Sequence, residues 1–180
     1  MVPLLTIDGE PTVCFDVKSC LLQLHLLMQK VSFSGNEDFY TYKGLEDISR
    51  QDMKLLVQCL VNNSSINSAR CAFTHHYKNV EGSQFKKLTN EKFSSIVRTM
   101  INERPYFENL FLKPNHTKKI IRKESDYFID VMEILLKKNL HFIYRFDALI
   151  VKDSDKEEVE VALQEIAFKY WNKKITLSIE

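Results

Sequence analysis

The residues VCFDVKSC at positions 13–20 join an apolar, β-branched run to a leucine-rich run. Residues 12–16 have the composition of a strand, whereas residues 21–28 carry unbranched side chains that favour a buried helix. Upstream, residues 4–7 and the turn Asp8-Gly9-Glu10 predict a hairpin in which Gly9 takes a positive φ. The pattern therefore predicts a strand that ends at Asp16 and is followed at once by a helix.

A second acid stands in the stretch RFDALIV at positions 145–151. Two apolar, β-type runs, 141–146 and 148–152, meet at Asp147 with almost no room for a loop, which predicts a tight hairpin with the acid at its tip. Residues 174–180 alternate apolar and polar side chains and predict a closing strand. We expect an α+β fold, in which a small antiparallel sheet of these strands is backed by several helices.

Helical patterns fill most of the remaining sequence. Ser49 and Thr89 are suitable N-caps for the predicted helices 49–62 and 90–103. The predicted helices cover residues 49–62, 66–77, 90–103, 116–139 and 155–171. Only 4 Gly and 4 Pro leave little material for linkers, so we expect residues 1–180 to form one domain, either complete or as the C-terminal part of a longer chain.

Composition excludes several functional classes. Lys and Arg number 25 against 24 Asp and Glu, so any site for a polyanion has to be local. The apolar run at 21–28 is far shorter than the roughly 20 residues that span a bilayer, and we expect a cytoplasmic protein with no membrane partner. The four cysteines lack a C-x-x-C pair, which predicts buried free thiols rather than a zinc site.

Asp16 and Asp147 are the candidate chemical groups. Burying an unpaired carboxylate costs several kcal/mol, so an acid at the end of an apolar strand needs a cation or a hydrogen-bond network. Mg²⁺ is a suitable cation because it binds one or two carboxylates together with substrate phosphates. The alternative is that both acids cap helices or stabilise turns.

Two basic patterns accompany the acids. Arg50 and Lys54 lie one helical turn apart and could hold a phosphate between them, or they could form a solvated helix face. A second set on one face of the long predicted helix could follow a phosphate backbone or simply be a solvated helix end; it contains Lys118, Lys119, Arg122 and Lys123. Three tyrosines near basic residues either stack on bases or belong to the core: Tyr40, Tyr42 and Tyr77.

Taken in order, VCFDVKSC, RQDMK at 50–54 and RFDALIV resemble the palm of family A DNA polymerases, especially the divergent versions of phages and mobile elements. The resemblance implies template-dependent nucleotidyl transfer in DNA replication, with primer-template DNA and dNTP as partners. It also implies that Asp16 and Asp147 hold two Mg²⁺ or Mn²⁺ ions, aided by the backbone carbonyl of Val17. Arg50 and Lys54 would then bind the phosphates of the nucleotide.

The sequence departs from the family pattern at four positions. Asn62 and Asn63 stand where the family has an aromatic residue and glycine, Phe146 replaces histidine, and Ala148 stands where many members have glutamate. Two alternatives therefore stay open. One is a catalytically degenerate palm that acts as a nucleic-acid or protein interaction module, and the other is a metal-dependent nuclease that uses the same acids.

Overall fold

The computed structural model describes residues 5–35 and 37–180. The chain divides into two compact units. The first combines Met1–Gly35 with Ile120–Glu180, and the second is Asn36–Lys119. All five strands belong to the first unit.

The sheet of the first unit is small and antiparallel. Its strands are β1 (Thr6–Ile7), β2 (Glu10–Val17), β3 (Phe142–Arg145), β4 (Ala148–Lys152) and β5 (Leu177–Ile179). They run in the order β1-β2-β4-β3, and β5 also pairs with β2. Strand β2 therefore connects the hairpin of β3 and β4 to the terminal strand. These are the strands that the sequence predicts, whereas their order is a property of the fold.

Alternation along the strands gives the sheet a buried face and an accessible face. Phe15, Val17, Leu149 and Val151 are almost completely buried, whereas the residues between them are only half-buried. The helices of this unit are α1 (Cys20–Met28), α5 (Pro114–Lys137), which begins within the second unit, and α6 (Lys156–Trp171). Together with the sheet they form the predicted α+β fold.

Gln23 is a buried polar residue in the otherwise apolar helix α1. Its side-chain oxygen accepts the backbone N–H of Thr176 at 2.9 Å, and its amide nitrogen donates to the carbonyl of Thr176 at 3.0 Å. The same nitrogen also donates to the carbonyl of Lys18. Gln23 thus ties the chain just before β5 to the start of α1.

The second unit is helical. It contains α2 (Arg50–Asn62), α3 (Ile66–His76) and α4 (Asn90–Glu103), with short 3₁₀ helices at Gln84–Lys87 and Pro105–Asn109. The hydroxyls of Ser49 and Thr89 accept the N–H groups of Asp52 and Lys92, which confirms both predicted N-caps. Aromatic rings fill the core of this unit, including Phe73, Tyr77, Phe85 and Phe93.

Element boundaries differ from the predictions in a few places. Strand β3 ends at Arg145 because Phe146 belongs to the turn, and β5 covers only the last part of the predicted run 174–180. Helix α5 begins at Pro114, two positions before the predicted start, since proline suits the first turn of a helix. The predicted strand start at Leu4 lies outside the described residues.

Two other expectations can be compared with the structure. Tyr40, Tyr42 and Tyr77 are buried, so they belong to the core and are not exposed for base stacking. The expectation of four buried thiols is wrong for Cys71, which is exposed on the solvent side of α3.

Within residues 5–35 and 37–180, no helix has both the length and the apolar character needed to cross a membrane.

Candidate functional site

Asp16 lies near the end of the central strand. Its Cα pairs with that of Ala148 on β4 and with that of Ser178 on β5. Because side chains alternate along a strand, Asp16 lies on the accessible face, opposite to the buried Phe15 and Val17. The hydroxyl of Ser178 donates to a carboxylate oxygen of Asp16 at 3.4 Å. Asp16 is thus half-buried at one end of the sheet.

Asp147 lies at the same end, in the two-residue turn between β3 and β4. Its backbone carbonyl accepts the N–H of Val17 at 3.3 Å, directly after the pairing of Asp16 with Ala148. The structure therefore places Asp16 on β2 and Asp147 in the adjacent β3–β4 turn, at the same end of the sheet. These acids are separated by 131 positions in sequence, and only the tertiary fold brings them together.

The backbone of Val17 is oriented toward the same turn. In a strand, the N–H and C=O groups of one residue point to the same side. Since the N–H of Val17 bonds to Asp147, its carbonyl also faces the β4 side of β2. This orientation suits the predicted role of the Val17 carbonyl beside the two carboxylates.

Phe146 is the first residue of the turn and has unusual properties. Its φ is 56°, in the left-handed region that bulky residues rarely adopt. Its side chain is 77% exposed, so burial of the ring does not offset the backbone cost. Phe146 therefore combines a strained backbone with an exposed aromatic ring, and it directly precedes Asp147 in the turn.

Glu124 on α5 is a third acid near this end of the sheet, close enough to Asp147 for their charges to interact. Burial raises the pKa of its carboxyl to about 7, and the negative charge of Asp147 adds to the effect. Glu124 is not among the site residues predicted from the sequence. A glutamate within a helix carries no signal of burial, so only the tertiary structure identifies it.

The negative charges at this end of the sheet also affect two neighbouring groups, the Cys20 thiol and the Tyr144 hydroxyl. Burial raises the pKa of the Cys20 thiol well above its usual value, and the charges of Glu124, Asp147 and Asp16 raise it further. Burial also raises the pKa of the Tyr144 hydroxyl, with a further contribution from Glu124. The negative charges of Glu124, Asp147 and Asp16 thus all oppose ionisation of the Cys20 thiol.

A cavity of about 370 Å³ opens beside Asp147. Cys14, Arg145, Phe146 and Glu180 contribute to its lining. Burial raises the pKa of Cys14, Asp16 and Glu180 add to the rise, and Arg145 opposes it. The cavity is therefore large enough for a small polar group and carries charges of both signs.

The donor set suits a hard divalent cation. Among the residues that the structure describes, no three His, Cys, Asp or Glu side chains are arranged to hold a metal ion. Mg²⁺ does not need such a protein cage, because it usually binds one or two carboxylates and takes its other ligands from water and substrate phosphates. Asp16, Asp147 and the Val17 carbonyl are oxygen donors of the required kind.

The predicted phosphate ligands belong to the second unit. Arg50 and Lys54 are both exposed on α2. The Nε of Arg50 forms an ion pair with Asp38 at 2.8 Å, and its guanidinium lies 5.2 Å from the ring centre of Tyr40. Arg50 is therefore already paired with a carboxylate.

The four basic residues predicted on α5 are all exposed: Lys118, Lys119, Arg122 and Lys123. Lys123 is within 3.8 Å of Asp126 and 5.8 Å from the ring centre of Tyr170. Exposed ion pairs of this type contribute little to stability. These side chains are therefore accessible to solvent, as both a solvated helix end and a contact with a phosphate backbone require.

Comparisons with known proteins give a sparse result. No protein-family profile matches the chain, and no curated protein matches it by sequence. Among solved structures, the chain is similar to the polymerase domain of Pol1 from M. smegmatis, determined in complex with DNA primer-template and dNTP. The identity is 10%, the TM-score is 0.46, and the match covers 96% of this chain. The chain spans 40% of the length of that polymerase domain.

Proposed function

We propose that this chain is a nucleotidyltransferase of the DNA polymerase type, which adds a nucleotide from a dNTP to the 3′-hydroxyl of a primer on a template strand. One observation carries the proposal: Asp16 on β2 and Asp147 in the neighbouring β3–β4 turn lie at the same end of the sheet, although they are far apart in sequence. The order of the sequence motifs supports the same assignment.

In this proposal, Asp16, Asp147 and the Val17 carbonyl bind Mg²⁺ or Mn²⁺. The bound cations would lower the pKa of the primer hydroxyl and neutralise charge that develops on the departing pyrophosphate. The protein holds the two carboxylates in place through the pairing of β2 with β4. Such preorganised charges require little rearrangement during the reaction, which is the main source of their effect on rate.

The basic residues have binding roles in the proposal. Arg50 and Lys54 bind the triphosphate of the dNTP, with Arg50 providing a planar set of donors and Lys54 a point charge. Lys118, Lys119, Arg122 and Lys123 contact the phosphate backbone of the primer-template. The exposure of all six side chains supports these roles.

A primer-extension assay tests the proposal. The protein is incubated with a labelled primer-template, Mg²⁺ or Mn²⁺ and four dNTPs, and the length of the primer is followed. We expect extension by the natural chain and its loss in Asp16→Asn and Asp147→Asn. Asp153→Asn is the matched control, because Asp153 is exposed and follows the opposite end of β4.

Other outcomes would identify the alternatives. Shortening of the labelled primer, lost in the same two variants, would indicate a metal-dependent nuclease. Binding of the primer-template without extension, unchanged in both variants, would indicate a non-catalytic interaction module. Either result would overturn the proposed polymerase activity.

A further inference from the structure

A basic cavity lies in the second unit, on the surface formed by α3 and the 3₁₀ helix Gln84–Lys87. Its volume is about 490 Å³. The residues that line it are Arg70, Cys71, Thr74, His75, Lys78, Lys86 and Lys87. Four of these seven side chains are permanent cations and none is an acid. We propose that this cavity binds the phosphodiester backbone of a nucleic acid.

The local structure concentrates these charges. Phe85 is buried against the rings of Phe73 at 5.2 Å and Tyr77 at 4.9 Å, measured between ring centres. This aromatic packing fixes the 3₁₀ helix against α3, so that the next two residues, Lys86 and Lys87, remain exposed beside it. The cations therefore lie on a defined surface rather than on separate loops.

The hydrogen bonds of the Arg70 guanidinium go to neutral groups, and Glu91, whose pKa the charge of Arg70 helps to lower, forms no ion pair with it within 4.0 Å. The Arg70 guanidinium donates to the side-chain oxygen of Asn90 at 2.7 Å, to the carbonyl of Leu88 at 3.1 Å and to the side-chain oxygen of Asn67 at 3.2 Å. These bonds fix the position of the guanidinium without neutralising its charge. Arg70 therefore provides a fixed positive charge in the lining of the cavity.

The lysines that line the cavity form no ion pair with a carboxylate in the described part of the chain. In the described part of the chain, no carboxylate lies within 4.0 Å of the charged nitrogens of Lys78, Lys86 or Lys87, nor of Arg70. Charge is also segregated along the sequence. Residues 36–119 carry 13 Lys and Arg against 9 Asp and Glu, whereas the rest carries 12 against 15.

The type of cation indicates the type of ligand. Lysines act as mobile point charges and do not provide the rigid, paired donors that grip one small anion. Three exposed lysines around one fixed arginine suit an extended chain of phosphates, in which each contact contributes through counterion release. Binding at this cavity does not depend on the proposed nucleotidyl transfer, since it involves none of the residues assigned to that reaction.

Anisotropy of a fluorescent single-stranded oligonucleotide tests the proposal, with EDTA present and dNTP omitted so that catalysis plays no part. Affinity is measured between about 50 and 200 mM salt. We expect Lys86→Gln with Lys87→Gln to reduce the slope of log affinity against log salt by about 1.4, because each single-strand phosphate contact contributes about 0.7. The matched control changes two exposed cations of the same unit outside the cavity, Lys43→Gln with Arg98→Gln.

A second measurement keeps the test independent of those variants. Cys71 lines the cavity and is exposed, so alkylation of its thiol by iodoacetamide can be followed by peptide mapping. We expect the oligonucleotide to protect Cys71 and a phosphate-free polyanion of carboxylates to protect it less. Equal slopes for the double variant and its control, or alkylation of Cys71 that the oligonucleotide does not slow, would overturn the proposal.

Discussion

The backbone N–H of Val17 donates a hydrogen bond to the carbonyl of Asp147 at 3.3 Å. This bond continues the pairing of β2 and β4 past Asp16 and Ala148, and it joins the two segments that carry the acids. Movement of the hairpin tip away from β2 would therefore break a backbone hydrogen bond between these two segments. The conformation of the turn at Phe146 and Asp147 becomes part of the candidate site.

The turn provides the first prediction. The left-handed conformation costs an ordinary L-residue about 1–2 kcal/mol, whereas asparagine tolerates it better. Phe146 has a φ of 56° and is 77% exposed, so Phe146→Asn loses little burial. We expect this substitution to raise the free energy of unfolding by about 1 kcal/mol in urea denaturation.

Phe168→Asn is the control for that substitution. Phe168 is also an exposed phenylalanine, but it lies within helix α6, where asparagine is a poorer helix former. Its replacement should lower stability slightly. If Phe146→Asn also lowers stability, the strain assigned to the turn is wrong. If Phe146→Asn raises stability but weakens primer extension, the strained backbone at Phe146 contributes to the site rather than to the fold.

The buried amide of Gln23 provides the second prediction. Gln23→Leu would leave the N–H of Thr176 without its partner, whereas the Thr176 carbonyl would keep the N–H of Lys18 at 3.1 Å. An unsatisfied buried polar group costs about 1–3 kcal/mol, so we expect the free energy of unfolding to fall by about 2 kcal/mol or more. Gln58→Leu on the exposed face of α2 is the control and should change stability little. Equal effects of the two substitutions would show that the Gln23 bonds are not important.

Much of the fold could be predicted because its signals are local. Ser49 and Thr89 identify helix starts through their own side chains, and the turn at Gly9 takes the expected positive φ of 80°. The position of Asp147 between two apolar runs similarly identifies the hairpin. In each case, neighbouring residues determine the backbone conformation.

The parts that escaped prediction depend on distant residues. In the sequence, Gln23 only interrupts an apolar run. Its partner Thr176 is 153 positions away, so no local pattern predicts their hydrogen bonds. Glu124 reads as an ordinary helix residue, and only the fold places it near Asp147. The basic cavity likewise combines Arg70 with Lys86 and Lys87 from a different element. The charge of a residue is visible in the sequence, but its burial and its neighbours are not.

The carboxyl of Glu124 provides the third prediction, which concerns pH. Its pKa is about 7 in the folded protein, above the ordinary value of 4.5. Between these values the unfolded chain releases a proton that the folded chain retains, so Glu124 lowers stability as pH rises through this window. Glu124→Gln removes this effect. We expect the variant and the natural chain to be similarly stable well below pH 4.5, where the carboxyl is protonated in both the folded and the unfolded natural chain.

Above pH 7 the variant should be more stable, by about 1–2 kcal/mol once the partial exposure of the side chain is allowed for. Thermal or urea unfolding across this pH range measures the difference. Glu133→Gln is the control, because Glu133 is an exposed acid on the same helix with an ion pair to Lys137 at 3.9 Å. Its effect should vary little with pH, since exposed pairs contribute little. A stability difference for Glu124→Gln that stays constant from acid to alkaline pH would contradict the burial of an uncompensated carboxyl beside Asp147.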